Sequence, residues 1–170
     1  VDTLVVGNEL IYNNWFESSQ IKTFLDQTRS ILGDTSVKVI SADTISAYYG
    51  HPDLCEYSDY IGVNSHPFFD NHTAEQAGDY VLGHMQAVWQ FCHEHGYDKD
   101  VVTLETGWPW KGDAYYVAVP SSENQVTALK KISESAANAC IVYSAYNDLW
   151  KPDGEWNVEK SWGFLGNSPT

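Results

Sequence analysis

The feature that most constrains this chain is a repeated change of hydrophobic period. Five apolar, largely β-branched runs stand at Thr3–Val6, Val37–Ala42, Tyr60–Asn64, Val101–Leu104 and Cys140–Tyr146. Most are continuous rather than alternating, as in strands covered on both faces. Between them the period moves to that of a helix. Ile21, Phe24, Leu25, Thr28, Ile31 and Leu32 form one stripe, with Ser18 or Ser19 as N-cap and Gly33 as terminator. Thr73 to Gln76 reads as a capping box opening a helix that carries Ala77, Val81, Met85, Val88 and Cys92 before Gly96. Ser122 to Gln125 reads as a second box, followed by Val126, Leu129, Ile132 and Ala136, and a short helix is expected from about Thr44 to Tyr49. Successive βα units of this kind make an α/β domain, either an open doubly wound sheet or a (β/α)8 barrel. The open sheet that binds a dinucleotide needs a glycine-rich turn after an early strand. Val6-Gly7-Asn8-Glu9 lacks its second and third glycines and puts a carboxylate where a pyrophosphate would sit, which excludes nucleotide binding.

Charge and composition narrow the partner. The formal net charge is -14, which repels phosphate backbones and anionic membranes. Seven Trp and eleven Tyr exceed the needs of a core this size, and their flat faces suit neutral sugar rings. The composition of a tightly packed α/β core accounts for them equally well. There is no apolar run of membrane-spanning length and no signal peptide. The chain opens on Val1-Asp2-Thr3-Leu4, already a strand, so its start is expected to lie within a longer protein. Cys55, Cys92 and Cys140 form neither a C-x-x-C pair nor a zinc spacing, so buried free thiols are the default reading. In a secreted protein the odd number would imply a partner outside the chain. Asn71-His72-Thr73 is a permissive but weak glycosylation sequon.

Polar residues close nearly every strand: Asn8 with Glu9, Asp43, Asn64 with His66, Glu105, and Asn147 with Asp148. One acid in such a place is usually a cap. Five in step fit the active-site face of a parallel barrel. Glu105 follows Val-Val-Thr-Leu and precedes a sharp Thr-Gly-Trp-Pro turn, and it lies three strands after Glu9. Retaining cleavage of a glycosidic bond needs two carboxyls about 5–5.5 Å apart, one protonated and one ionised. His93-Glu94-His95-Gly96 reads as a helix end with a glycine cap rather than a metal site, and no metal or cofactor is expected. There is no Gly-x-Ser-x-Gly elbow.

The segments Val6–Glu9, Ile61–Asp70, Glu105–Pro109, Ala118–Gln125, Tyr146–Lys151 and Trp156–Gly163 resemble glycoside hydrolase family 17, in particular its fungal cell-wall members. The resemblance spans nearly the whole chain and is most specific around Glu105. It implies a TIM barrel of which the chain covers roughly strands 4 to 8, as one partial catalytic domain over residues 1–170. It implies retaining hydrolysis or transglycosylation of β-1,3-glucan, with Glu9 as acid/base and Glu105 as nucleophile. It further implies that Asn8 binds the sugar 2-hydroxyl and that Asp148 and Lys151 shape the hydrogen bonds around the pair. Asn64, His66, Phe68 and Trp108 lie on matching blocks as sugar-contact residues. It places the protein in the secreted or cell-wall compartment, with a β-glucan as partner.

Three departures stand out. Leu104 and Trp110 replace smaller or polar residues beside the nucleophile block, and strands 1 to 3 with their helices are absent. The chain alone is therefore expected to be unstable or inactive, because five open strands expose two edges. A non-catalytic glucan-binding wall protein and a barrel hydrolase acting on another β-glycan are the alternative readings of the sequence.

Overall fold

A computed structural model describes residues 1–136 and 138–168. Its strands are β1 (Thr3–Asn8), β2 (Lys38–Thr44), β3 (Ile61–Asn64), β4 (Val101–Thr106) and β5 (Cys140–Val142), in the sheet order β1-β2-β3-β4-β5. The β1–β2 and β2–β3 ladders are parallel. Helices α1 (Ser18–Leu32), α2 (Ile45–Gly50), α3 (Leu54–Tyr57), α4 (Ala77–Glu94) and α5 (Ser122–Ala136) fill the connections. The expected βα succession is present. Among the described residues no helix is long and apolar enough to cross a membrane.

The chain divides into two compact units, residues 1–64 with 84–104, and residues 65–83 with 105–170. In the first unit, β2 and β3 are buried along nearly their full lengths because both faces are covered. Val39, Ile61 and Val63 pack with Ile21 and Leu25 of α1, Ala47 and Tyr48 of α2, and Val88 and Cys92 of α4. Ile40 and Ala42, which alternate with Val39 along the strand, form a separate cluster with Leu104. The β1–β2 register shifts between Val5 and Asn8, where Gly7 takes a φ of +88°. A side chain at that φ would be strained, and a Cβ there would meet Leu10 Cδ1 at 2.5 Å. This bulge re-aims the strand end that carries Asn8 and Glu9.

Two expectations fail in this unit. Cys55 and Cys92 are joined by a disulfide, not free, across 37 residues. The pairing follows from α3, a four-residue helix that holds Cys55 beside the end of α4 with the Cα atoms 5.5 Å apart. The N-cap of α1 is Glu17 rather than a serine, because the Gln20 side chain accepts a bond from the Glu17 amide at 2.9 Å. Ser18 instead donates to Asp53 at 2.6 Å. Gly33 ends the helix as expected.

The second unit is built on an aromatic core. Phe68 meets Trp108 edge-on at 5.7 Å, and Trp162 at 6.3 Å, while Phe69 lies against Trp156 and Trp162. Thr73 caps a 3-10 turn over Ala74–Gln76 that leads into α4, as the capping box predicts. The second box is displaced by one residue. Ser121 caps α5 by accepting from Asn124, and the Gln125 side chain turns inward to donate to the carbonyls of Trp108 and Trp162 at 2.9 and 3.2 Å. Strand β5 is also shorter than expected. Beyond Val142 the backbone bonds to the segment 162–165 instead, through Phe164 to Ser144 and Leu165 to Ala145.

Candidate active site

In the first unit the sheet presents Glu9 immediately after β1. Its φ is +52°, a left-handed value that non-glycine residues adopt only when their surroundings hold them there. Here the Glu9 amide donates to the Ala42 carbonyl at 2.9 Å, and its carbonyl accepts from the Asn13 amide and side chain at 3.1 and 2.8 Å. The carboxylate Oε1 accepts from Asn64 Nδ2 at 2.9 Å, and the same nitrogen donates to Asn8 Oδ1 at 2.9 Å. Asn64 is thus a shared amide donor that fixes both residues of the strand end. Its own Oδ1 is buried with no hydrogen-bond partner.

Asp43 holds the loop that follows. Its carboxylate accepts from the amides of Ile11 at 2.9 Å, Tyr12 at 3.3 Å and Thr44 at 2.9 Å. Burial raises its pKa against the lowering effect of those three donors. Asp43 is a loop anchor rather than a group open to substrate.

In the second unit Glu105 lies within β4, and its carbonyl accepts from the Ser65 amide at 2.9 Å. One carboxylate oxygen stands 3.6 Å from His66 Nε2. That is ion-pair range, longer than a direct hydrogen bond. His66 is ringed by edges: Trp162 at 5.2 Å, Phe69 at 6.0 Å and Tyr143 at 6.0 Å. His66 Nδ1 and Trp162 Nε1 are buried without hydrogen-bond partners. Gly107 permits a close backbone approach here, because a Cβ at that position would overlap the Tyr143 carbonyl.

A polar cluster adjoins this pair. Tyr143 donates to Asp148 Oδ2 at 2.6 Å and accepts from Lys151 Nζ at 2.5 Å. Lys151 also faces Asp148 at 3.8 Å and Glu159 at 3.5 Å. Burial and then the Asp148 carboxylate push the Tyr143 phenol far above its usual pKa, with Glu105 and Glu159 acting in the same direction.

The sequence-derived residues therefore fall into two groups. Asn8, Glu9 and Asn64 meet in the first unit. His66 and Glu105 meet in the second, as do Asp148 and Lys151. Phe68 and Trp108 are both 0% exposed, and the Trp108 indole donates to the Val119 carbonyl at 3.1 Å, so both rings serve as packing. Tyr143, Glu159, Trp162 and Gln125 were not legible as site residues. For Tyr143 the available signal was its place at the end of the last strand, two strands from His66.

The sequence matches the BtgE/BtgC glycoside hydrolase domain over residues 1–163. It is 45% identical to the cell surface mannoprotein MP65 of Candida albicans over 168 residues, which is 97% of this chain and 44% of that protein. It is 43% identical to the probable family 17 glucosidase SCW10 of Saccharomyces cerevisiae, covering 98% of this chain and 43% of that one. The chain thus spans under half the length of these curated relatives. Among solved structures, the family 17 β-1,3-glucanosyltransferase of Rhizomucor miehei superposes with a TM-score of 0.82 at 24% identity, over 99% of this chain and 62% of that one. An active-site mutant of the same enzyme in complex with laminaritriose gives a TM-score of 0.81 at 25% identity, with the same coverage. This likeness bears out the expected fold, five strands of a partial (β/α)8 barrel. The chain belongs to the BtgE/BtgC glycoside hydrolase domain family, and through it to the family 17 type of glycoside hydrolase.

Proposed function

We propose that this chain is the C-terminal part of a catalytic barrel that cleaves or transfers β-1,3-glucan with retention, using Glu105 as nucleophile and Glu9 as acid/base. The observation that carries the reading is the glycoside hydrolase domain match over residues 1–163, in which both glutamates stand at strand ends. The laminaritriose bound by the Rhizomucor miehei relative supports a β-1,3-glucan.

In the first step a Glu105 oxygen bonds to the anomeric carbon as the glycosidic bond breaks, and Glu9 delivers its proton to the departing oxygen. In the second, Glu9 takes a proton from water or a sugar hydroxyl, whose oxygen displaces Glu105 from the anomeric carbon. Water gives hydrolysis and a sugar gives transfer. Asn8 is assigned to the 2-hydroxyl. The buried, unpartnered Asn64 Oδ1, His66 Nδ1 and Trp162 Nε1 support sugar contacts, since each lacks the bond that a hydroxyl would supply.

The remaining βα units of the barrel belong to the complete protein in this reading. Leu4 and Val5 on β1, the end strand of the sheet, are exposed, which fits a further strand pairing there. The Cys55–Cys92 disulfide supports a secreted, cell-surface setting.

In the complete protein, Glu105→Ala is expected to abolish turnover of laminarin. Glu9→Ala should slow substrates with poor leaving groups far more than activated aryl glycosides, because only the former need the proton. Equal losses on the two substrate types would overturn the role given to Glu9. Turnover of cellulose or mannan in preference to laminarin would overturn the substrate.

A further inference from the structure

Tyr143 touches both groups beside Glu105 in the second unit, the His66 ring and the Asp148–Lys151 pair. Its amide donates to the carbonyl of Thr106 at 2.7 Å, next in the chain to Glu105. The close approach at Gly107 holds its backbone against the same strand end. Its ring meets that of His66 edge-on, with the centroids 6.0 Å apart, and His66 Nε2 faces the Glu105 carboxylate. Its hydroxyl is clamped on both sides, by Lys151 at 2.5 Å and Asp148 at 2.6 Å. Lys151 is in turn tied to Glu159 at 3.5 Å.

We propose that Tyr143 is a positioning residue for the nucleophile: its hydroxyl, fixed between Lys151 and Asp148, locks the ring against His66 and so keeps His66 on the Glu105 carboxylate. This rests on the reading of Glu105 as nucleophile. The physical reason is geometric. A ring held only by packing can turn about its Cα–Cβ bond, whereas one bonded at its far end to two charged groups cannot do so without breaking both bonds. His66 has no hydrogen-bond partner on Nδ1, so ring contacts supply its orientation on that side.

Tyr143→Phe keeps the ring and removes the clamp. In the complete protein, kcat on laminarioligosaccharides is expected to fall about tenfold, near the low end for charge-assisted bonds because the two that are lost act on Glu105 only through His66, while KM stays near the wild-type value. The acidic limb of the kcat/KM profile should move to higher pH as His66 loosens from Glu105. The charged and titratable groups facing Tyr143 in this reading are His66, Glu105, Asp148, Lys151 and Glu159. Lys151→Met is expected to produce the same limb shift, and the double variant no further one. A purely structural role would lower the melting temperature and leave the pH profile superimposable on wild type, and that result overturns the proposal. Should Tyr143→Phe fail to fold, Asp148→Ala, which removes the acceptor of the phenol, carries the same test. Activity surviving Glu105→Ala would remove the underlying reading instead. Loss with Glu105→Ala beside an unchanged Tyr143→Phe would remove only the role of Tyr143.

Discussion

The carboxylates of Glu9 and Glu105 are held in opposite ways. Around Glu9 the partners are neutral amides: Asn64 bonds the carboxylate, Asn13 bonds the carbonyl, and a left-handed backbone fixes the direction. Beside Glu105 stand an imidazole, itself ringed by aromatic edges, and an adjoining cluster of lysine and two acids. In the proposed mechanism Glu9 exchanges a proton and Glu105 attacks the anomeric carbon, and neutral amide donors beside the first with an imidazole beside the second fit those roles. The contrast extends to the scaffolds. The first unit is closed by aliphatic packing and a disulfide, the second by Trp and Phe packing and by Gln125 bonding two backbone carbonyls.

The scaffold contrast admits the largest test. Replacing Cys55 and Cys92 together by serine is expected to cost about 2–5 kcal/mol. The loss of amide-exchange protection should be concentrated in α1, β2 and α4 up to Cys92. Equal loss in β5 and α5 would show that both units unfold as one, and the distinction between their scaffolds would disappear.

A sharper test concerns Glu9. Asn64→Ala removes its amide donor, worth about 1.5–3 kcal/mol when the partner is charged. In the complete protein, kcat on substrates with poor leaving groups should fall roughly 10- to 100-fold, with activated aryl glycosides much less affected. A uniform loss on both would mean that Asn64 supports substrate binding rather than Glu9.

The smallest effect is alkaline. Burial raises the phenols of Tyr48 in the first unit and Tyr143 in the second, the latter with added help from Asp148. The unfolded chain ionises these groups near pH 10. The stability they confer is therefore full below about pH 10 and declines as pH rises through the raised values. Phenylalanine at either position should flatten that decline in denaturant titrations. A wild-type chain whose stability is constant from neutral pH to beyond pH 11 would contradict both assignments.

The succession of strands and helices was legible because period and caps are local properties. The strand-end placement of Glu9 and Glu105 was legible because each follows an apolar run and sits in a distinctive motif. What escaped was decided by distant partners. Cys55 stands in a short polar stretch without helical period, so α3 and the disulfide it permits leave no local trace. Gln125 fits a capping box in sequence, yet two carbonyls at Trp108 and Trp162 claim its amide. Phe68 and Trp108 look like sugar platforms in a motif and prove to be the interior of the wall that carries Glu105. Strand β5 reads as continuing to Tyr146, but hydrogen bonds to residues 162–165 draw the chain away.

The buried Asp43 carboxylate has a consequence for how such a protein can change. By gripping the amides of Ile11 and Tyr12, it makes the path of the loop behind Glu9 depend on main-chain atoms common to every amino acid. The side chains of Tyr12 and Trp15 point outward and are 56% and 67% exposed. Mutation can therefore redraw the surface of that loop while the glutamate beside it keeps its aim. Divergence among paralogues, or deliberate engineering of what the loop meets, has a tolerant stretch of sequence adjoining an intolerant one.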